Sequence, residues 1–233
     1  MFDEIEKMIV KEMRSFFVKM VYADHNRSRS VVRSINRCIS ELPQDGVGLN
    51  LGAGSINFDS RIRNLDIFPG ANIYYVAKAE SIPEKDDFFD LIITQEVLEH
   101  VQDPFMAMSE ISRTLKPNGT LYCQLPFIIG YHPGPTDYWR FTKEGIEEII
   151  RKHGFKVEEI GISVGGATGF YRISVEFFSV LLAVIIPPFY HIFKALFAVL
   201  LFPIKWLDIV INISSQKDRI PGGYYVIAKK LEQ

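Results

Sequence analysis

A chain of 233 residues with a formal net charge of −2 can bury one full core, with an appendage, and leaves little room for a second independent domain. Its charges are well mixed in sign, and no basic stripe is dense enough to make nucleic acid the default partner. The two cysteines, Cys38 and Cys123, lie far apart and match no metal-ligand spacing, so no metal site is read and a reducing, cytoplasmic setting is the simplest inference.

The first residues, Met1-Phe2-Asp3-Glu4, open with acids and do not resemble a secretory signal. From Phe2 to Tyr22, apolar residues such as Ile5, Ile9, Phe16 and Met20 recur at helical spacing, which predicts an amphipathic helix within an N-terminal segment over 1–45. The basic cluster Arg27, Arg29, Arg33 and Arg37 reads best as a solvated helix face. Val47–Leu51 is a first predicted strand and runs directly into Gly52-Ala53-Gly54. Ile62–Asp66 is a second, ending on a carboxylate, and Ile73–Ala77 a third. Phe88–Ile93 is a short apolar run of the kind buried on both faces of a parallel sheet, closed by the polar Thr94-Gln95-Glu96.

Asp103-Pro104 then starts a helix, and Lys116-Pro117-Asn118-Gly119 is expected to end it. Leu121–Leu125, Phe155–Ser163 and Gly223–Lys229 complete seven strands, with a helix over Thr142–His153. The alternation predicts a Rossmann-like, doubly wound, mostly parallel α/β sheet over 46–170 and 220–233. An apolar helical insert over 171–219 precedes the last strand. Its two apolar runs are each shorter than the ~20 residues that cross a bilayer, and Pro187-Pro188, His191 and Lys194 separate them. An interfacial hairpin on a membrane is therefore favoured over a spanning pass, ahead of packing on the domain or a homodimer interface.

Glycines after a first strand allow a tight turn and close ligand approach, and a carboxylate ending the next strand can accept ribose hydroxyls. Gly52 and Gly54 with Asp66 therefore point to a nucleoside. Together with Glu96-Val97-Leu98-Glu99-His100-Val101, these motifs resemble class I S-adenosylmethionine-dependent methyltransferases, type 11-like, from about Val47 to Ile160. The resemblance implies S-adenosylmethionine as cofactor and a methyl-transfer activity. It implies Gly52, Ala53 and Gly54 at the methionine end, Asp66 and Ile67 at the ribose, and Ala79 and Glu80 near the adenine. Gln95 would line the methyl-donor pocket and Val97 would help close it. Two departures stand out: Asn50 lies where the family often has an acid, and Ile56 where a third glycine would be.

Pro126–Thr142, PFIIGYHPGPTDYWRFT, resembles a segment of a methyltransferase subgroup associated with glycan and envelope biosynthesis. Transfer to a hydroxyl needs a base, and histidine suits neutral pH. His132 is the first candidate, with Asp137 to orient it, and His100 the second. Trp139 and Phe141 read at least as well as anchors of the loop. The expectation is an O-methyltransferase of a sugar, glycolipid or other lipid- or glycan-linked acceptor, peripheral to the inner face of a membrane. One alternative is an isoprenoid or quinone-like small-molecule acceptor. Another is a non-catalytic module of the same fold that binds a membrane protein.

Overall fold

The structure, a computed structural model, describes residues 28–232. The N-terminal helix expected within 2–22 lies outside the described residues. Two compact units emerge, one from residues 29–127, 131–163 and 223–232, the other from 128–130 and 164–222.

The first unit is built on a seven-stranded sheet. Its strands are β1 (Gly48–Leu51), β2 (Ile62–Asp66), β3 (Tyr75–Val76), β4 (Phe89–Gln95), β5 (Leu115–Pro126), β6 (Phe155–Val164) and β7 (Gly223–Lys230). Their order across the sheet is β3-β2-β1-β4-β5-β7-β6. β1 pairs parallel with both β2 and β4, β4 with β5, and β7 runs antiparallel to β5. The chain order reverses between β1 and β4, the switch point beside which ligands bind in such sheets. Every residue of β1 is buried, as are Phe89 and Leu91–Gln95 of β4, so these strands read as nearly continuous apolar runs.

Among the described residues, three helices accompany the sheet. α1 (Arg29–Ser40) buries Val31, Ile35 and Cys38 and exposes Arg29, Arg33 and Arg37, the solvated basic face expected of it. α2 (Pro104–Thr114) is capped by the Asp103 carboxylate, which accepts from the amides of Phe105 and Met106 at 3.0 and 2.9 Å. It ends at Thr114, earlier than its Lys-Pro-Asn-Gly stop suggests. Leu115 is already extended and pairs with Phe89, and Lys116 reaches back to Asp90 at 2.9 Å. Pairing with β4 thus overrides the turn chemistry, and β5 absorbs the stretch. α3 (Lys143–Lys152) starts on Thr142, whose hydroxyl accepts from the Gly145 amide. Cys38 and Cys123 are both free and buried, and burial pushes the Cys38 thiol up to about 11.

The second unit is helical: α4 (Gly166–Ala183), a 3₁₀ turn at Pro187–Phe189, α5 (Tyr190–Leu200), a 3₁₀ segment Phe202–Leu207 and the short α6 (Asp208–Ile211). A small core of Tyr171, Val175 and Ala198 joins α4 to α5, with the Tyr171 hydroxyl donating to the Ala198 carbonyl at 2.8 Å. Asp208 accepts from the Ala167 and Thr168 amides, satisfying the start of α4. Glu176 takes the Tyr190 hydroxyl and pairs with Lys194. No helix among the described residues is long and apolar enough to cross a membrane.

Phe89 has no exposed surface and joins the core on which β1, β4 and α2 meet. Phe89→Ala is expected to cost about 3–5 kcal/mol, read as a lowered urea midpoint with an unchanged slope.

Candidate active site

A cavity of about 500 Å³ opens at the carboxyl ends of β1, β2 and β4, entirely within the sheet unit. That volume suits a small molecule with a few polar anchors. Its floor is the turn after β1. Gly52 at φ +70° and Gly54 at φ +51° adopt the left-handed conformation that glycine alone takes without strain. A Cβ on Gly52 would come within 2.3 Å of the Val97 side chain. At Gly54 a Cβ would meet nothing within 4 Å, so the backbone itself faces open space.

Asp66 forms the next wall. One carboxylate oxygen accepts from the Gly54 amide at 2.8 Å and the other from the Phe68 amide at 3.0 Å. Each oxygen keeps a further lone-pair site, enough to accept a pair of vicinal hydroxyls. Ile67, Phe68 and Ala79 supply apolar walls nearby, with Glu80 at the rim. Glu96, held at φ +55° immediately after β4, and Val97 line the far side, followed by His100 and Val101.

Three of the residues expected at the cofactor do not line this cavity. Asn50 is buried and turned sideways, donating to Asn64 Oδ1 at 3.0 Å and the Ile56 carbonyl at 3.2 Å. Ala53 is buried beneath the turn. Gln95 is the last residue of β4 and donates to Gln124 Oε1 at 3.2 Å, leaving its neighbour Glu96 to face the cavity.

The loop 131–142 closes the cavity from above by lacing itself onto the turn at Val97–Val101. The Tyr138 and Trp139 amides both donate to the Glu99 carbonyl, at 2.7 and 3.2 Å. The Trp139 indole donates to the Val101 carbonyl at 3.1 Å, and the Thr136 hydroxyl to the His100 carbonyl at 3.1 Å. Trp139 is thus an anchor, stacked on Phe141. Gly134, Pro135, Thr136 and Tyr138 join the cavity lining.

Asp137 is locked rather than reactive. Its carboxylate takes both terminal nitrogens of Arg140, one at 2.7 Å, and the His132 amide at 2.9 Å. Burial works to raise it, but the guanidinium and the amide prevail and hold it down at about 2. His132 Nδ1 lies 3.6 Å from Asp137 and 3.3 Å from an Arg140 nitrogen, so this pair sets the ring's position. His132 stands behind the cavity wall.

His100 is the imidazole that reaches the cavity. Its Nδ1 donates to the Thr136 carbonyl, an atom that can only accept, so the neutral ring carries its proton on Nδ1 and leaves Nε2 bare. Burial lowers its pKa, favouring that neutral form. Between the rings sits Glu99, which sequence reasoning quoted within its motif but did not mark as a site residue. Its carboxylate is fully buried, 3.5 Å from His100 Nε2 and 3.8 Å from His132 Nε2. Neither oxygen has a hydrogen-bond partner, and burial pushes the group up to about 8. Only closure of the loop over the turn isolates it, so no local pattern marks it out.

The sequence profile of the family described as Methyltransferase domain matches residues 35–123. A ubiquinone biosynthesis O-methyltransferase of Bartonella bacilliformis is 27% identical over 140 residues, 49% of this chain and 56% of that protein. Another so named, from Brucella anthropi, is 34% identical over 79 residues, 31% of this chain and 32% of that protein. The chain spans about half or less of the length of these curated relatives. Among solved structures, the cyclase SpnF superposes with a TM-score of 0.51 at 18% identity, over 89% of this chain and 84% of that one. The MccD protein does so with a TM-score of 0.52 at 17% identity, over 88% and 99%. These likenesses show a shared fold, and a cyclase among them shows that the fold alone does not fix the chemistry.

Because the Asp137 carboxyl titrates at about 2 in the folded chain and near 4 when unfolded, its stabilising contribution is complete above pH ~4 and is lost as pH falls toward ~2. Acid titration followed by Trp139 fluorescence should show the loop loosening in that window. Asp137→Asn should abolish that transition and loosen the loop already at pH 7.

Proposed function

The chain belongs to the class I S-adenosylmethionine-dependent methyltransferases, and from that premise we propose that it methylates a hydroxyl of an apolar, quinone-like small molecule. The observation that carries this reading is one cavity lined both by Gly52, Gly54 and Asp66 and by His100, an imidazole whose Nδ1 is committed to the Thr136 carbonyl. The residues fit the cofactor: exposed backbone at Gly54, lone pairs on Asp66 for two ribose hydroxyls, and apolar walls from Ile67 and Ala79 for a flat base. When bound, S-adenosylmethionine supplies a methyl group already activated on a sulfonium.

The chain's own residues do the rest. Asp66 orients the nucleoside, and the turn at Val97 with the loop at Gly134–Tyr138 restricts access by water. His100 Nε2 accepts the hydroxyl proton of the acceptor, its ring held by the Thr136 carbonyl. His132, the stronger candidate from sequence, takes a supporting place because it does not line the cavity, and Asp137 positions His132. The sugar, glycolipid or envelope-linked acceptor expected from sequence draws no support from the relatives. The quinone-like alternative does, through two relatives named for ubiquinone biosynthesis.

The helical unit supports a membrane-surface location suited to such an acceptor. Phe177, Leu181, Val184 and Ile185 stand exposed along α4 and its end. Ile192, Leu196, Val199, Trp206 and Ile209 do so along α5 and beyond. Of α5 only Ala198 is buried. A solvated unit has no use for so much apolar surface, whereas a lipid interface would cover it. Homodimerisation through the same face is the competing reading.

Isothermal titration should show saturable S-adenosylmethionine binding that weakens by about 10–100-fold in Asp66→Ala, as expected for lost hydrogen bonds to a charged group. His100→Ala should keep that affinity and lose about 100-fold or more in turnover; full turnover would remove His100 as the base. In flotation assays the chain should rise with liposomes and the double variant Val184→Asp/Ile185→Asp should not. Equal flotation of both would refute the membrane reading.

A further inference from the structure

We propose that Glu99, His100 and His132 form a binding site for a divalent cation of the zinc class, with one coordination position open to the cavity. The site has no signature in the sequence, because its ligands come from the turn after β4 and from the loop after β5. The facing atoms are one carboxylate oxygen and two imidazole nitrogens, all within 4.8 Å of one another. Tetrahedral zinc with bonds of about 2.0–2.1 Å holds its ligand atoms about 3.3–3.4 Å apart. The two separations from Glu99 are 3.5 and 3.8 Å, so a shift of a few tenths of an ångström in each brings those contacts to bonding geometry.

Glu99 is the independent sign that something belongs there. It is fully buried, and both of its oxygens lack a hydrogen-bond partner. A buried carboxylate without compensation is costly, and such groups are ordinarily paired or hold a metal. The neighbouring Arg140 offers Glu99 the attraction of a nearby positive charge but no hydrogen bond, and its guanidinium donates to both oxygens of Asp137.

The outer partners are of the kind that orient metal-binding histidines. His100 Nδ1 donates to the Thr136 carbonyl, which leaves Nε2 bare and directed at Glu99. His132 Nδ1 lies between an Arg140 nitrogen at 3.3 Å and the Asp137 carboxylate at 3.6 Å, while its Nε2 faces Glu99 at 3.8 Å and would take the place of a ligand by giving up its proton. Two imidazoles and one carboxylate suit zinc-class ions better than magnesium or calcium, which prefer oxygen. Three protein ligands are also the count of catalytic rather than structural zinc sites. Since His100 lines the cavity, the fourth position faces it, where an oxygen of the methyl acceptor would bind.

This deepens the acceptor end of the proposed function; the cation site itself rests on the cluster alone and stands or falls apart from cofactor binding. With the ion bound, His100 Nε2 would be a ligand and not the base; the ion would acidify the hydroxyl it holds, and that proton would pass to water in the cavity before the methyl group is transferred.

Cobalt(II) titration of the chelator-treated protein tests the site by the visible absorption of low-symmetry cobalt. The expected result is a band saturating at one equivalent and displaced by zinc. Glu99→Gln and His132→Ala should each weaken cobalt binding at least tenfold while leaving S-adenosylmethionine binding and circular dichroism unchanged. Acetohydroxamate, an oxygen-donor probe, should shift the band if a position is open. A missing band, or one that survives unchanged in both variants, overturns the site. A band insensitive to acetohydroxamate overturns its open position. Should Glu99→Gln fail to fold, His132→Ala alone decides the first point.

Discussion

The site depends on one contact, the Glu99 carbonyl receiving two amides from the loop above it. Tyr138 and Trp139 both donate there, and Thr136 and the Trp139 indole bond the next two carbonyls, those of His100 and Val101. A loop carrying four prolines and glycines between Gly130 and Pro135 would otherwise have no fixed position over the sheet. Docked this way, it completes the cavity and seals the Glu99 carboxylate beneath it. The same contact brings His132, from one segment, within reach of His100, from the other.

The sheet places the other half. Gly52 turns the chain sharply after β1, where a side chain would collide with Val97, and its amide bonds to the Leu65 carbonyl of β2. Asp66, one residue further along β2, is thereby fixed against the Gly54 amide. Strand register thus determines that a carboxylate and an exposed backbone face one cavity, and the parallel pairing of β1 with β2 and β4 is what sets that register.

β1 and β4 were legible because strands buried on both faces are largely apolar, and β1 and β2 because one runs into glycine and the other ends on the Asp66 carboxylate. Asp103 and Thr142 announced their helices through capping chemistry that acts over three residues. Less legible was anything set by partners distant in sequence. The start of β5 at Leu115 follows from pairing with Phe89, against a Lys-Pro-Asn-Gly sequence that reads as a stop. Asn50 stands at a position where the family resemblance suggested a cofactor contact, yet its amide is consumed by Asn64 and Ile56. The isolation of Glu99 is a property of two segments closing on each other, and neither segment alone carries it. The apolar run from Phe177 onward was visible in composition, while its folding into two helices joined at Pro187–Phe189 needed the structure.

The most direct test of the central claim is a crystal structure of the chain with S-adenosylhomocysteine. Both ribose hydroxyls should lie on the Asp66 carboxylate, with the amino-acid end over Gly52 and Gly54 and the sulfur directed toward His100. A nucleoside bound elsewhere, or one that leaves Asp66 uncontacted, would contradict it.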